Sequence, residues 1–63
     1  MRIKEFRESS KMTQIDLAKK IGVKRSTVAM WEAGRIYPRV EVLIKLSDLF
    51  GCTIDELVKG EKK

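Results

Sequence analysis

Histidine is absent from this chain and cysteine occurs once, at Cys52, so the commonest metal ligand is missing and no internal disulfide can form. Proline occurs once and glycine four times, which excludes low-complexity and collagen-like classes. No apolar run approaches the ~18 residues of a membrane span, and no signal-peptide pattern opens the chain. A soluble, cytoplasmic protein with no membrane partner is the expectation. Without histidine, with one cysteine and with no carboxylate pair in an evident cleft, no catalytic set can be assembled. The chain is therefore read as not an enzyme, with no metal and no cofactor.

What is present is an ordinary hydrophobic fraction, 43%, and an uneven distribution of charge. Sixty-three residues suffice for one modest core, so residues 1–63 are expected to form a single domain. Residues 1–35 carry nine Lys/Arg against four Asp/Glu, whereas residues 36–63 carry five of each sign. The whole excess of +5 thus lies in the N-terminal half, where a polyanion is the natural partner. A generic solvated basic surface is the plainer alternative.

Apolar spacing gives an all-α reading of five short helices. The first, about Arg2 to Ser9, puts Ile3 and Phe6 on one face. The second, about 13–21, starts at Thr13 as N-cap with Asp16 three residues on, buries Leu17, Ala18 and Ile21, and ends at Gly22. The third, about 25–33, turns Val28 and Trp31 inward and is closed by Gly34. The fourth, Val40 to Phe50, aligns Val40, Leu43, Leu46, Ser47 and Phe50. The fifth opens on the capping box Thr53-Ile54-Asp55-Glu56 and contributes Ile54 and Leu57. Two amphipathic stretches around Gly22, the second beginning Lys24-Arg25-Ser26-Thr27, have the logic of a helix-turn-helix.

These residues resemble a known family. Thr13-Gln14, Leu17-Ala18, Ile21-Gly22-Val23, Val28, Trp31-Glu32 and Gly34, followed by Pro38, Leu43/Leu46, Phe50-Gly51 and Asp55-Glu56-Leu57, are similar to the Cro and CI repressor type of helix-turn-helix, the xenobiotic-response-element class. The resemblance covers nearly the whole chain. It implies a compact, lambda repressor-like five-helix domain that inserts its third helix into the major groove of double-stranded DNA, commonly as a dimer on a two-fold operator.

With Val28 and Trp31 committed to the core, Arg25, Ser26, Thr27, Ala29 and Met30 are left for the outer surface. By resemblance, Arg25, Ser26, Thr27 and Met30 occupy base-reading positions. Arg25 suits guanine O6 and N7, worth about 1–3 kcal/mol of discrimination; a phosphate contact is its alternative. Ser26 and Thr27 can bond several bases, though Ser26 also suits a helix start. Met30 offers apolar surface to a thymine methyl. Gln14, by family role and by its place at a helix N-terminus, is expected on phosphate. Lys24, Arg35 and Arg39 are phosphate candidates or plain solvated cations, and Lys19 and Lys20 are weaker ones. Trp31 is read as core rather than as a stacking platform. Glu32 beside a DNA-binding helix needs an internal partner, and the resemblance supplies Arg7. Gly22 is read as structural.

The chain departs from the family's habit at several places. Lys24 and Arg39 stand where Ser or Thr commonly caps a helix, and Lys11 stands where glycine is common, so strain is expected there. Cys52 is read as a small buried hydrophobe. Ile15, Val42, Ile44 and Leu49 leave more apolar surface than a monomer of this size needs, a hint of an interface. The function expected is sequence-specific DNA binding by a transcriptional regulator, a repressor acting as a homodimer, with no small-molecule ligand. The alternative is a protein-interaction module, antitoxin-like or a phage regulatory partner, with the helix-turn-helix as scaffold.

Overall fold

The apolar spacing resolves into α1 (Ile3–Ser9), α2 (Gln14–Ile21), α3 (Arg25–Glu32), α4 (Val40–Phe50) and α5 (Ile54–Val58) in a computed structural model that describes residues 1–59. The described residues contain no strand. Helices this short are marginal alone in water, so their stability has to come from the face each buries. Ile3, Leu17, Ala18, Ile21, Val28, Trp31, Leu46 and Leu57 form one core cluster to which all five helices contribute. Phe6 of α1 stacks on Phe50 of α4, ring centroids 5.6 Å apart, and seals one side of it.

Capping chemistry sets where the helices begin. Thr13 and Thr53 each accept from the backbone of the residue three on, and the Asp16 and Glu56 carboxylates accept in return from the threonine amides. Both are full capping boxes. Lys24 and Arg39 occupy the N-cap positions of α3 and α4 in extended conformation and supply no side-chain cap. Arg2 caps α1 and is not helical, so α1 starts one residue later than expected; Ala33 likewise caps α3 rather than extending it.

Left-handed residues set where the helices stop. After α3, the Gly34 amide donates to Trp31 and the Arg35 amide to the Met30 carbonyl, with Gly34 at φ 77. These are the paired bonds of a Schellman motif. The same two bonds close α1, from Lys11 to Glu8 and from Met12 to Arg7, with Lys11 at φ 59. Lysine there carries the Cβ penalty that glycine escapes, so the expected strain is present.

Three inward expectations need correction. Val40, aligned with the apolar stripe of α4, is 67% exposed, and Ile54 is also exposed. Each is the first residue of its helix; Val40 lies on one stripe with exposed Ile44, one turn on, while Val42 and Leu43 of the same turn pack against the core. Cys52 is half-buried against the core rather than enclosed by it, and that partial burial raises its thiol pKa, with Glu56 adding to the shift. Of the surplus apolar residues, Val42 and Leu49 pack against the core after all, whereas Ile15 and Ile44 are exposed. The chain closes on itself where the Arg2 amide donates to the Leu57 carbonyl at 3.0 Å, joining the approach to α1 to the last turn of α5.

Candidate nucleic-acid interface

α2 and α3 form the most extensively packed helix pair of the molecule. Between them the chain reverses at Gly22, φ 89, whose conformation an L side chain resists. Val28 and Trp31 fix the inner face of α3 in the core. That leaves Arg25, Ser26 and Met30 exposed, with Thr27 and Ala29 half-buried at the edges of the same face. Because Lys24 provides no side-chain cap, the amides of Arg25 and Ser26 in the first turn are left for an outside acceptor.

One chain of hydrogen bonds ties this exposed face to the interior. Arg25 Nη1 donates to Gln14 Oε1 at 3.0 Å, and Gln14 Nε2 donates to Glu32 Oε1 at 3.0 Å. The Glu32 carboxylate also accepts from Arg7, Nε to Oε2 at 2.7 Å and Nη2 to Oε1 at 3.3 Å. Arg7 Nη1 finally reaches the Met12 carbonyl at 2.8 Å in the α1–α2 turn. A guanidinium only donates and a carboxylate only accepts, so the Gln14 amide between them has one permitted orientation. The Arg7 and Glu32 side chains are 10% and 7% exposed, which makes theirs a buried pair. Hydrogen bonding to Glu32 raises the Arg7 pKa above its already high ordinary value, against the opposing effect of burial. Glu32 therefore presents no free negative charge beside α3.

Basic residues bracket α3 at both ends, across roughly 12 Å of helix. Lys24 and Arg25 stand at its start; Arg35 and Arg39 flank the loop that follows it, and all four are exposed. Among the described residues, no ion pair involves Lys24, Arg35 or Arg39. Lys19 and Lys20 lie in the last turn of α2, beside a shallow groove shared with Met12 and Asp16, and not at the end of α3.

Two features of this surface went unread in the sequence. Gln14 has both ends of its amide engaged inside the protein, and its place between an acceptor-only and a donor-only residue becomes visible only once α1, α2 and α3 are assembled. Tyr37, between Arg35 and Arg39, is 74% exposed. The signal available for it was an aromatic set in a basic loop without an apolar partner at helical spacing.

The chain belongs to the helix-turn-helix family of the Cro/CI type, since a family model described as Helix-turn-helix matches residues 3–57. The HTH-type transcriptional activator BcrR of Enterococcus faecalis is 38% identical over 61 residues, a stretch that covers 97% of this chain and 30% of BcrR. An uncharacterized HTH-type transcriptional regulator of Archaeoglobus fulgidus is 39% identical over 56 residues, 89% of this chain and 79% of the relative. Repressor protein C2 of Salmonella phage P22 is 35% identical over 60 residues, 95% of this chain and 28% of that protein. The chain thus spans less than a third of two of these three relatives. No solved structure matches it.

Proposed function

We propose that this member of the helix-turn-helix family is a double-stranded DNA-binding transcription regulator that reads the major groove with α3. The observation that carries the reading is Arg25. An exposed guanidinium at the first position of α3 is held by Gln14, which is itself anchored to the buried Glu32–Arg7 pair. Holding a long side chain in place lowers the entropy lost when it binds. Arg25 then pairs with guanine, Ser26 and Thr27 bond neighbouring base edges, and Met30 contacts a thymine methyl. Lys24, Arg35 and Arg39 take phosphates on either side and set the register. Gln14 joins them through the second hydrogen of its amide and its first-turn backbone N–H.

Three or four base-reading side chains give limited specificity, so two copies are proposed to occupy half-sites about one helical turn, ~34 Å, apart. Occupying a promoter blocks polymerase without further contacts, and repression is the outcome that this surface alone suffices for. The relatives named above include one called an activator and one called a repressor.

The test is selection of binding sites from a random duplex library at physiological salt, with wild type and Arg25→Ala in parallel. A two-fold-symmetric motif whose guanine preference weakens in the variant is the expected result, with affinity lower by about 1–3 kcal/mol. Failure to enrich any motif, leaving only salt-sensitive binding, would overturn the reading in favour of a protein-interaction module.

A further inference from the structure

The turn between α1 and α2 holds a lysine in a conformation that disfavours it. Lys11, at φ 59, is the only described residue other than glycine with positive φ. Nothing in the fold calls for a side chain there. The two bonds that close α1 start from the backbone amides of Lys11 and Met12, and glycine would donate in the same way without the Cβ penalty. The Lys11 side chain is exposed, and among the described residues no ion pair engages its ammonium. Glu8, the nearest acid in sequence, makes its 4.0 Å contact with Arg7 instead. Strain kept without a structural return is a mark of function.

We infer that Lys11 is a phosphate-binding residue whose ammonium meets the DNA strand passing the start of α2. This rests on the DNA-binding reading above. Position is the first argument. Three residues separate Lys11 from Gln14, at most about 11 Å of chain. Gln14, the first residue of α2, touches Arg25, the first residue of α3, at 3.0 Å. The starts of both helices thus share one edge, and the Lys11 turn leads into it. That turn is fixed, because Arg7 Nη1 donates to the Met12 carbonyl at 2.8 Å. The buried pair that anchors Gln14 therefore also anchors the backbone beside Lys11. Charge is the second argument. The capping box of α2 sets the Asp16 carboxylate 3.0 Å from the Thr13 amide and favours its ionised form. A phosphate brought to Gln14 meets that negative group at the mouth of the helix. The ammonium of the preceding turn offsets it, and α2 has no cation of its own before Lys19 in its last turn. Lysine suits the task, since a point charge on a flexible stem needs no set geometry to find a phosphate oxygen.

Stability and binding then move in opposite directions at one position. Removing the side chain relieves the turn and forfeits one released counterion on DNA. Each phosphate contact adds about 0.9 to the steepness with which log affinity falls against log salt. Losing one should shrink the affinity ratio of wild type to variant about 3.5-fold between 50 and 200 mM salt.

Wild type, Lys11→Gly, Lys11→Asn and Lys11→Arg are titrated onto a selected duplex across that salt range, and their stabilities are compared in urea. Lys45→Ala, on exposed α4 surface, controls for the loss of one net charge. Asparagine tolerates the left-handed conformation, so the first two variants remove the charge on different backbones. Both should be at least as stable as wild type, bind more weakly and show the 3.5-fold change of ratio worked out above. Lys11→Arg should keep the wild-type slope, and Lys45→Ala should stay close to it. The inference is overturned if Lys11→Gly binds with wild-type affinity and slope, or loses no more than Lys45→Ala. A loss that the asparagine variant does not share also overturns it, since chain flexibility is then the cause. If wild type enriches no site, the DNA-binding reading has failed, and the same slopes are read on a random duplex. There a Lys11→Gly slope shallower by about 0.9 supports the phosphate contact, whereas an equal slope or no binding overturns it.

Discussion

Take Glu32 away, as in Glu32→Ala, and Arg7 keeps the carbonyl of Met12 for a guanidinium whose side chain is only 10% exposed. Gln14 loses its acceptor at the same time. Removing one partner of a buried pair costs about 3–5 kcal/mol. The Arg7 charge then keeps only a long 4.0 Å contact with the exposed carboxylate of Glu8, which places the loss toward the lower end of that range. A chain of this length has roughly 3–9 kcal/mol of total stability, so the variant should stand close to its unfolding midpoint at 25 °C. Trp31, adjacent in sequence and buried, reports the transition by fluorescence in a urea titration. Glu32→Gln, which keeps an acceptor without the charge, should lose less. Replacing both members, Arg7→Met with Glu32→Leu, should return stability to within about 1 kcal/mol of wild type, since apolar residues of similar volume need no compensation. That double variant should still bind DNA more weakly, because Gln14 has no anchor and Arg25 is released. A loss under about 1 kcal/mol for Glu32→Ala, or a double variant as unstable as the single one, would refute the buried-pair account.

Lys11→Gly should stabilise the protein by about 1 kcal/mol in the same urea assay, by removing a Cβ from the left-handed position that closes α1. Lys24→Ser should add about 1 kcal/mol by capping α3 while reducing the salt dependence of DNA binding by about one phosphate, read from the slope of log affinity against log salt. Asp16 is held below the ordinary aspartate range, first by the backbone amide of Thr13 and then by its hydroxyl. A depressed folded-state pKa gives stability that is complete above the unfolded value and is lost as pH falls through the folded one. Thermal melting from pH 6 down to pH 2 should therefore show a shallower acid limb in Asp16→Asn than in wild type.

The fold was legible because local chemistry and periodicity agree at nearly every element: two threonine capping boxes, left-handed residues after four helices, and apolar residues at three- and four-residue spacing. Burial of single residues was less legible: Val40 and Ile54 satisfy the period yet stand exposed at the first positions of their helices, whereas Val42 and Leu49 pack against the core. The site was only partly legible. Exposure of Arg25 and Met30 followed once Val28 and Trp31 were assigned inward, but the Arg25–Gln14–Glu32–Arg7 chain joins three helices through contacts up to 25 residues apart. No local pattern encodes such contacts; the Arg7–Glu32 part came from family resemblance alone.

The hydrogen bond from Arg2 to Leu57 has a consequence for how the protein is made. It spans about 55 residues, and closing so long a loop is entropically expensive until many other contacts are in place. α5 is five residues long and cannot persist undocked. During synthesis, Arg2 and Ile3 emerge before α5 and must wait for it before their packing is complete. The packing of α1 therefore stays unfinished until α5 has cleared the ribosome and can dock.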